Sequence, residues 1–115
     1  MVYSIHNAKI ALEMEMLFMI RHIVLFRLKD KSPENMKATA ELFYSLRGQV
    51  PGLISVETGV DFYRTERSYD IALVCTFTDR AALEAYQTHP AHVPIRKHMH
   101  EIRESSVACD YELPD

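Results

Sequence analysis

The fold is decided by the stretch Ile20-Arg21-His22-Ile23-Val24-Leu25-Phe26-Arg27-Leu28, because it reads as a strand that is apolar on both faces. Successive side chains of a strand point to opposite faces of the sheet. One face of this strand carries His22, Val24, Phe26 and Leu28, and the other carries Arg21, Ile23, Leu25 and Arg27. A strand of an antiparallel sheet with one face in water would alternate between apolar and polar residues. The pattern therefore predicts that both faces of this strand are covered.

The segment after this strand predicts a helix. Ser32 is a suitable N-cap, and Pro33 fits the first helical position, where its missing N–H is not needed. Apolar residues then follow one helical stripe towards Val50. Gly48 and Pro51-Gly52 end the pattern.

The remaining segments complete an α+β order of elements. Strands are predicted over residues 54–62, with a bulge at Gly59, over 70–77 and over 106–113. Thr78-Asp79 caps a short helix that runs to Tyr86, and a last helix is predicted over residues 90–99. The order strand, helix, strand, strand, helix, strand is that of a ferredoxin-like fold, a four-stranded antiparallel sheet with its helices on one face.

Such a sheet leaves its second face without helices, yet that face carries Ile23, Leu25, Ala72 and Val74. An apolar patch of this size indicates an interface. A second copy of the same sheet would cover it, giving a homodimer with the sheets face to face, a dimeric α/β barrel. The alternative is a monomer that covers this face with its own N-terminal segment.

Length and composition indicate a single domain in a reducing compartment. A chain of 115 residues is one domain, predicted over residues 19–115, and its net charge of -3 gives no reason to expect a nucleic-acid partner. Residues 1–18 resemble neither an export signal nor a membrane anchor, and form a helical, extended or disordered extension; Met19 would serve equally well as a start. In this topology the first strand lies between the strand that carries Cys75 and the strand that carries Cys109, so the two residues are too far apart for a disulfide. We therefore expect two free thiols, which indicates a cytoplasmic protein.

The candidate site is the stretch Tyr86-Gln87-Thr88-His89-Pro90-Ala91-His92-Val93. Pro90 enforces a break between two helical patterns. His92 lies on the same stripe as Ile95 and Met99, and Tyr86 lies on the inward face before the break. We therefore expect the phenol and the imidazole to face one interior, with their polar atoms at hydrogen-bond distance or bridged by one water or ligand atom.

Three segments resemble the stress-responsive dimeric α/β barrel (Dabb) family over about residues 20–113. They are the opening strand His22–Lys29, the entry Tyr69-Asp70-Ile71 into the third strand, and Tyr86 followed by His89-Pro90-Ala91-His92-Val93. The resemblance implies a homodimeric barrel of two ferredoxin-like sheets. The family that this chain resembles includes proteins similar to olivetolic acid cyclase of plants. That enzyme folds a linear polyketide by aldol condensation without a metal or organic cofactor.

The same resemblance implies roles for five positions. Tyr86 and His92 match an acid–base pair, whereas His22, Tyr44 and Ile71 match substrate-pocket positions, one of which, Ile71, replaces a histidine of that enzyme. From the residues alone, His22 also reads as a core histidine and Tyr44 as pocket wall.

Two functions stay open. The first is a cofactor-independent lyase, cyclase or isomerase acting on a small carbonyl or polyketide-like molecule, with His92 as base and Tyr86 as hydrogen-bond donor. The second is a non-catalytic stress-response or ligand-binding barrel, in which His92 and Tyr86 bond only to satisfy each other. A metal site is disfavoured, because His98 and His100 diverge on a helix and form a solvated helix end.

Overall fold

Four antiparallel strands form one sheet in the computed structural model, which describes residues 18–114. The strands are β1 Ile20–Leu28, β2 Leu53–Val60, β3 Ile71–Phe77 and β4 Arg103–Glu112, in the order β2-β3-β1-β4. The predicted α+β ferredoxin-like fold is therefore confirmed. The predicted extension over residues 1–18 falls, except for its last residue, outside the described part of the chain.

Three α-helices lie on one face of this sheet: α1 Pro33–Leu42, α2 Arg80–Gln87 and α3 Val93–Ile102. Both predicted caps are present, because the Ser32 hydroxyl accepts the Asn35 N–H and the Asp79 carboxylate accepts the Ala82 N–H. None of the helices within the described residues is long and apolar enough to cross a bilayer.

The last helix and the last strand each begin three residues from their predicted starts, at Val93 instead of residue 90 and at Arg103 instead of residue 106. Two further local predictions were wrong. The first helix leaves α-geometry after Leu42 and tightens into a 3₁₀ turn at Phe43–Leu46, a common way for a helix to end before a glycine turn, here Gly48 with φ 74°. The bulge predicted at Gly59 is absent, since Gly59 pairs regularly with Ala72; the pairing is irregular between Leu53 and Ser55 instead.

The core lies between the sheet and the helices. Its sheet side consists of Ile20, Phe26, Leu28, Val56, Ile71, Leu73, Cys75 and Phe77, and its helical side includes Met36, Ala40, Phe43, Leu46, Tyr86, Ile95 and Met99. The alternation along β1 predicted this face, because every second residue from Ile20 to Leu28 except the half-buried Val24 is buried. The helices thus cover the face of β1 that also carries His22.

The opposite sheet face has no helix within the described residues and carries a continuous apolar stripe. Ile23 lies between Val74 of β3 and Cys109 of β4, and Leu25 lies between Ala72 and Val107. We call this surface, Ile23, Leu25, Ala72, Val74, Val107, Cys109 and Tyr111, the open face. Val107 is 47% exposed and Tyr111 is 40% exposed, although both are large apolar residues.

One end of the sheet is fixed by a buried carboxylate. Asp70, just before β3, accepts hydrogen bonds from the Leu28 N–H at 2.7 Å, from Lys31 Nζ at 2.9 Å and from Arg64 Nη2 at 2.6 Å. Burial raises the pKa of Asp70, but these hydrogen bonds outweigh it and hold the pKa below its ordinary value. Both cysteines are free as predicted, Cys75 in the core and Cys109 on the open face.

Candidate functional site

A cavity of about 540 Å³ opens between the helix-covered sheet face and α3. This volume is in the usual range of small-molecule sites. Its interior is lined by residues of all layers: His22, Val24, Phe26, Phe43, Leu73, Tyr86, His92 and Met99. Its mouth is lined by Gln87, Arg96, Lys97, His100, Glu101, Arg103 and Ser106. The lining includes Tyr86 and His92, which were predicted to face one interior, and His22, for which the family resemblance implies a pocket position.

The tight turn between α2 and α3 holds His92 at the cavity. The His89 carbonyl accepts the N–H groups of His92 at 2.9 Å and of Val93 at 3.0 Å. The His89 ring closes the turn from the side, because its Nδ1 accepts the Ala91 N–H at 3.0 Å. The His89 ring therefore takes part in the turn. His92 is the N-cap residue of α3.

Tyr86 and His92 meet by stacking. Their ring centroids are 3.8 Å apart with an interplanar angle of 20°, and His92 Nδ1 lies 3.0 Å from the Tyr86 carbonyl oxygen. The Tyr86 hydroxyl is buried and has no hydrogen-bond partner among the described residues. Of the two predicted arrangements, the direct bond between hydroxyl and imidazole is thus absent among the described residues, because the imidazole bonds the tyrosine backbone instead. Bridging of the two groups by a water or ligand atom stays a prediction.

This arrangement fixes the tautomer of His92. A carbonyl oxygen only accepts, so Nδ1 carries the proton and donates it, and the neutral ring presents the lone pair of Nε2. The hydrogen bond to the Tyr86 carbonyl thus runs through Nδ1, and Nε2 is the ring nitrogen that can accept a proton. Burial lowers the pKa of His92 despite backbone hydrogen bonds that raise it, which favours the neutral base.

The tyrosine is held in the complementary state. Burial raises the pKa of Tyr86 above its ordinary value, and the nearby Cys75 adds to the effect. Its phenol therefore stays protonated at physiological pH and can only act as a donor or neutral acceptor. A neutral base and a neutral donor lie side by side at one cavity.

His22 supplies a second imidazole. Its Nδ1 donates a hydrogen bond to the Asp110 carboxylate on β4, and its ring centroid lies 6.2 Å from that of Tyr86. Asp110 was missed by the sequence analysis. Its signal is the register between β1 and β4, which places Asp110 directly opposite His22.

Tyr44 and Ile71, the other two predicted pocket residues, are not among the residues that line this cavity. The Tyr44 hydroxyl accepts the Thr58 N–H at 3.3 Å, and Arg47 lies 4.1 Å from the centre of its ring. Ile71 is 1% exposed and belongs to the core. These two side chains support the scaffold around the 3₁₀ turn and β3.

The histidines of this region do not converge on a point. Within residues 18–114, no group of three or more His, Cys, Asp or Glu side chains is placed to hold a metal ion. His98 is exposed on α3. His100 borders the cavity mouth, where its Nδ1 lies 3.2 Å from Arg103 Nη2 and accepts its hydrogen bond.

Known proteins share this fold. The chain is 36% identical over 77 residues to an uncharacterized protein of Streptomyces coelicolor, covering 64% of this chain and 79% of that protein. A dimeric protein of unknown function and ferredoxin-like fold from Bacteroides fragilis has a TM-score of 0.70 and 31% identity, over 83% of this chain and 96% of that one.

A hydroxynitrile lyase from Passiflora edulis has a TM-score of 0.73 over 86% of this chain and 96% of its own, at 19% identity, which shows likeness of fold alone. Finally, the model of the stress responsive A/B barrel domain, Dabb, matches residues 20–113. This match spans the whole described sheet and all three helices. The chain therefore belongs to the stress responsive A/B barrel domain family.

Proposed function

We propose that the chain is a cofactor-independent enzyme that moves a proton at a carbon next to a carbonyl group, the step shared by lyases, aldol-type cyclases and isomerases. The observation that carries the proposal is the neutral His92, with Nδ1 held by the Tyr86 carbonyl and Nε2 able to accept a proton, stacked on a buried phenol at a cavity of about 540 Å³.

In the proposed step, His92 Nε2 takes a proton from the carbon beside the carbonyl. The C–H electron pair forms a carbon–carbon double bond, and the carbonyl oxygen becomes an enolate oxygen. The Tyr86 hydroxyl donates a hydrogen bond to that oxygen as its charge develops. The imidazolium then returns its proton to carbon or to a leaving group, so the base is regenerated.

His22 gives the site a second polar wall. Its Nδ1–H is committed to Asp110, which fixes the ring orientation and leaves Nε2 towards a bound molecule. We assign it to substrate positioning. In contrast, we assign no substrate contact to Tyr44 and Ile71, which support the scaffold around the cavity.

One structural relative with this fold is an enzyme, a hydroxynitrile lyase. At 19% identity it shows likeness of fold alone, and the residues of this chain carry the proposal itself.

A deuterium-exchange assay tests the proposal without knowledge of the natural substrate. A panel of methyl ketones, aldehydes and 1,3-diketones is incubated in D₂O, and loss of the proton signal beside the carbonyl is followed by NMR. The wild type should accelerate exchange on a subset, and His92→Ala and Tyr86→Phe should each reduce the rate about 10²–10⁴-fold. His98→Ala is the matched control, because it removes an exposed imidazole of α3 that is not in the cavity lining.

Two outcomes contradict the proposal. The first is exchange that persists in His92→Ala, and the second is binding of panel members without any exchange by the wild type. The second result would favour the non-catalytic ligand-binding barrel.

We also infer that two copies pair through the open face. The stripe around Ile23 and Leu25 is apolar and has no cover among residues 18–114, and the Bacteroides fragilis relative is dimeric. Pairing would bury this stripe and leave the cavity, which lies on the other side of the sheet, free in each protomer. The two free thiols fit a cytoplasmic location.

A further inference from the structure

The mouth of the cavity carries more positive than negative side chains. Arg96, Lys97 and Arg103 line it, and Glu101 is the carboxylate among the lining residues. Arg96 and Lys97 lie on α3, and Arg103 follows that helix as the first residue of β4. All three cationic side chains therefore border the opening.

The hydrogen bonds of the two arginines go to neutral acceptors. Arg96 Nη1 donates to the Gln87 carbonyl at 2.8 Å, and Arg103 Nη1 donates to the Ser106 hydroxyl. Within the described residues, no carboxylate lies at ion-pair distance from Arg96, Lys97 or Arg103. The arginines are oriented by the protein, and neither forms an ion pair with a carboxylate of residues 18–114.

The interior has the opposite character. Val24, Phe26, Phe43, Leu73 and Met99 line it, and the polar groups there are His22, Tyr86 and His92. Low-dielectric walls beside several like charges focus the potential at the opening and attract an anion. A molecule that fits both regions has an apolar body, a carbonyl group near the imidazole, and a negative end.

We propose that the substrate of the site is a carbonyl compound that carries a carboxylate, bound at the mouth by Arg96, Lys97 and Arg103. This inference rests on the proposed function and specifies its substrate class. Arginine suits the task because its planar guanidinium can bind both oxygens of a carboxylate. The apolar body then occupies the interior, and the carbonyl faces His92 and Tyr86.

A pair of probes that differ in charge tests the inference. Binding of 2-oxooctanoate and of 2-oxooctanamide is measured by calorimetry and by amide shifts in NMR spectra. The acid should bind at least about tenfold more tightly than the neutral amide, as expected for charge-assisted hydrogen bonds. Added salt should reduce this preference, because the mouth is open to solvent.

Variants of the cavity mouth show which side chains cause the preference for the acid over the amide. Lys97→Gln and the double variant Arg96→Gln/Arg103→Gln should reduce it, the double variant to near equality. Arg67→Gln, in the exposed loop between β2 and β3, should leave it unchanged. The Lys97 side chain makes no hydrogen bond or ion pair with any residue within 18–114, so its variant keeps the test valid if the double variant unfolds.

The outcomes separate this inference from the proposed function. His92→Ala should keep the preference for the acid, since the mouth is intact, whether or not the wild type exchanges deuterium. Equal affinity for the two probes, failure of the acid to bind, or a preference that survives in Lys97→Gln and the double variant would each overturn the inference. Exchange on neutral ketones alone would support the catalytic proposal and still reject a carboxylate substrate.

Discussion

The hydroxyl of Tyr86 is a polar group buried without a partner among the described residues, and this has a consequence for stability. An unsatisfied buried hydroxyl costs about 1–3 kcal/mol. Tyr86→Phe should therefore leave the free energy of unfolding unchanged or raise it by about 1 kcal/mol. Urea denaturation of the ligand-free protein measures it.

Tyr44→Phe is the matched control for this prediction. Its hydroxyl accepts the Thr58 N–H, so its removal should lower the free energy of unfolding by about 0.5–1.5 kcal/mol. If Tyr86→Phe destabilises as much as Tyr44→Phe, the Tyr86 hydroxyl has a structural partner and its role as a reserved donor is wrong. A gain in stability with a loss of exchange activity would be the signature of a site kept unsatisfied for substrate.

His92 should make stability depend on pH. Burial holds its pKa in the folded protein below the unfolded value of about 6.5, so the unfolded state binds the proton first as pH falls. The contribution of His92 is fully present above about pH 6.5 and is lost as pH falls from there towards the folded pKa. Urea denaturation of the wild type should show this loss.

The same titration on His92→Gln isolates the effect, because the other five histidines are common to both proteins. The difference in free energy of unfolding between the wild type and His92→Gln should not change with pH above about pH 7. Below that pH, the wild type should lose more stability than the variant. After burial, the charges of Arg96 and His22 also lower the pKa of His92. A difference curve that stays flat down to about pH 5 would contradict a depressed pKa.

At the scale of elements, the contact between the β2 entry and α2 depends on Gly52. Its φ of 81° favours glycine, and a Cβ there would lie 2.5 Å from Ala82 Cβ on α2, the helix that carries Tyr86. Gly52→Ala should lower the free energy of unfolding by about 2–4 kcal/mol, from backbone strain and displacement of α2. Thermal denaturation with urea titration measures the loss.

Gly48→Ala separates the two causes. Gly48 has a φ of 74° as well, but a Cβ there meets no atom within 4 Å. Its loss should be only about 1 kcal/mol, the backbone term alone. Equal losses in the two variants would show that the approach of α2 to Gly52 is not a constraint.

The elements were largely predictable because their signals are local. Period-two alternation marked β1, and Ser32 and Asp79 marked two helix starts, where their side chains bond the backbone a few residues on. Such signals do not fix where a helix tightens into a 3₁₀ turn, and propensity does not reveal that Gly59 pairs regularly while Leu53 does not. Helix ends and bulges depend on packing between elements.

The site was predictable only in part for the same reason. Helical spacing placed Tyr86 and His92 on one interior, but the stacking of their rings depends on the turn closed by His89. Asp110 reaches His22 through strand register, although the two residues are 88 positions apart in sequence. No local pattern encodes such a contact.

At the scale of the whole molecule, the sheet has one covered and one uncovered face, so assembly should control chemistry far from the cavity. Cys109 lies beside Ile23 on the open face and is exposed in a single chain. A dimer through this face should protect its thiol. Cys75 serves as internal reference, because burial in the core raises its pKa to about 12 and keeps it unreactive.

Leu25→Glu should break the dimer and release Cys109. A glutamate at the centre of the open face would bury an unpaired charge, which is strongly unfavourable at an interface. Light scattering should show a dimeric wild type and a monomeric or aggregated variant, and thiol labelling of Cys109 should be slow in the first and fast in the monomer of the second. Ala38→Glu, an exposed position on α1, should change neither the mass nor the labelling rate.

A wild type that is monomeric at micromolar concentration, or that labels at Cys109 as fast as Leu25→Glu, would contradict pairing through the open face. Because the cavity opens on the opposite side, deuterium exchange by any monomer that stays folded should persist, which separates the assembly from the chemistry.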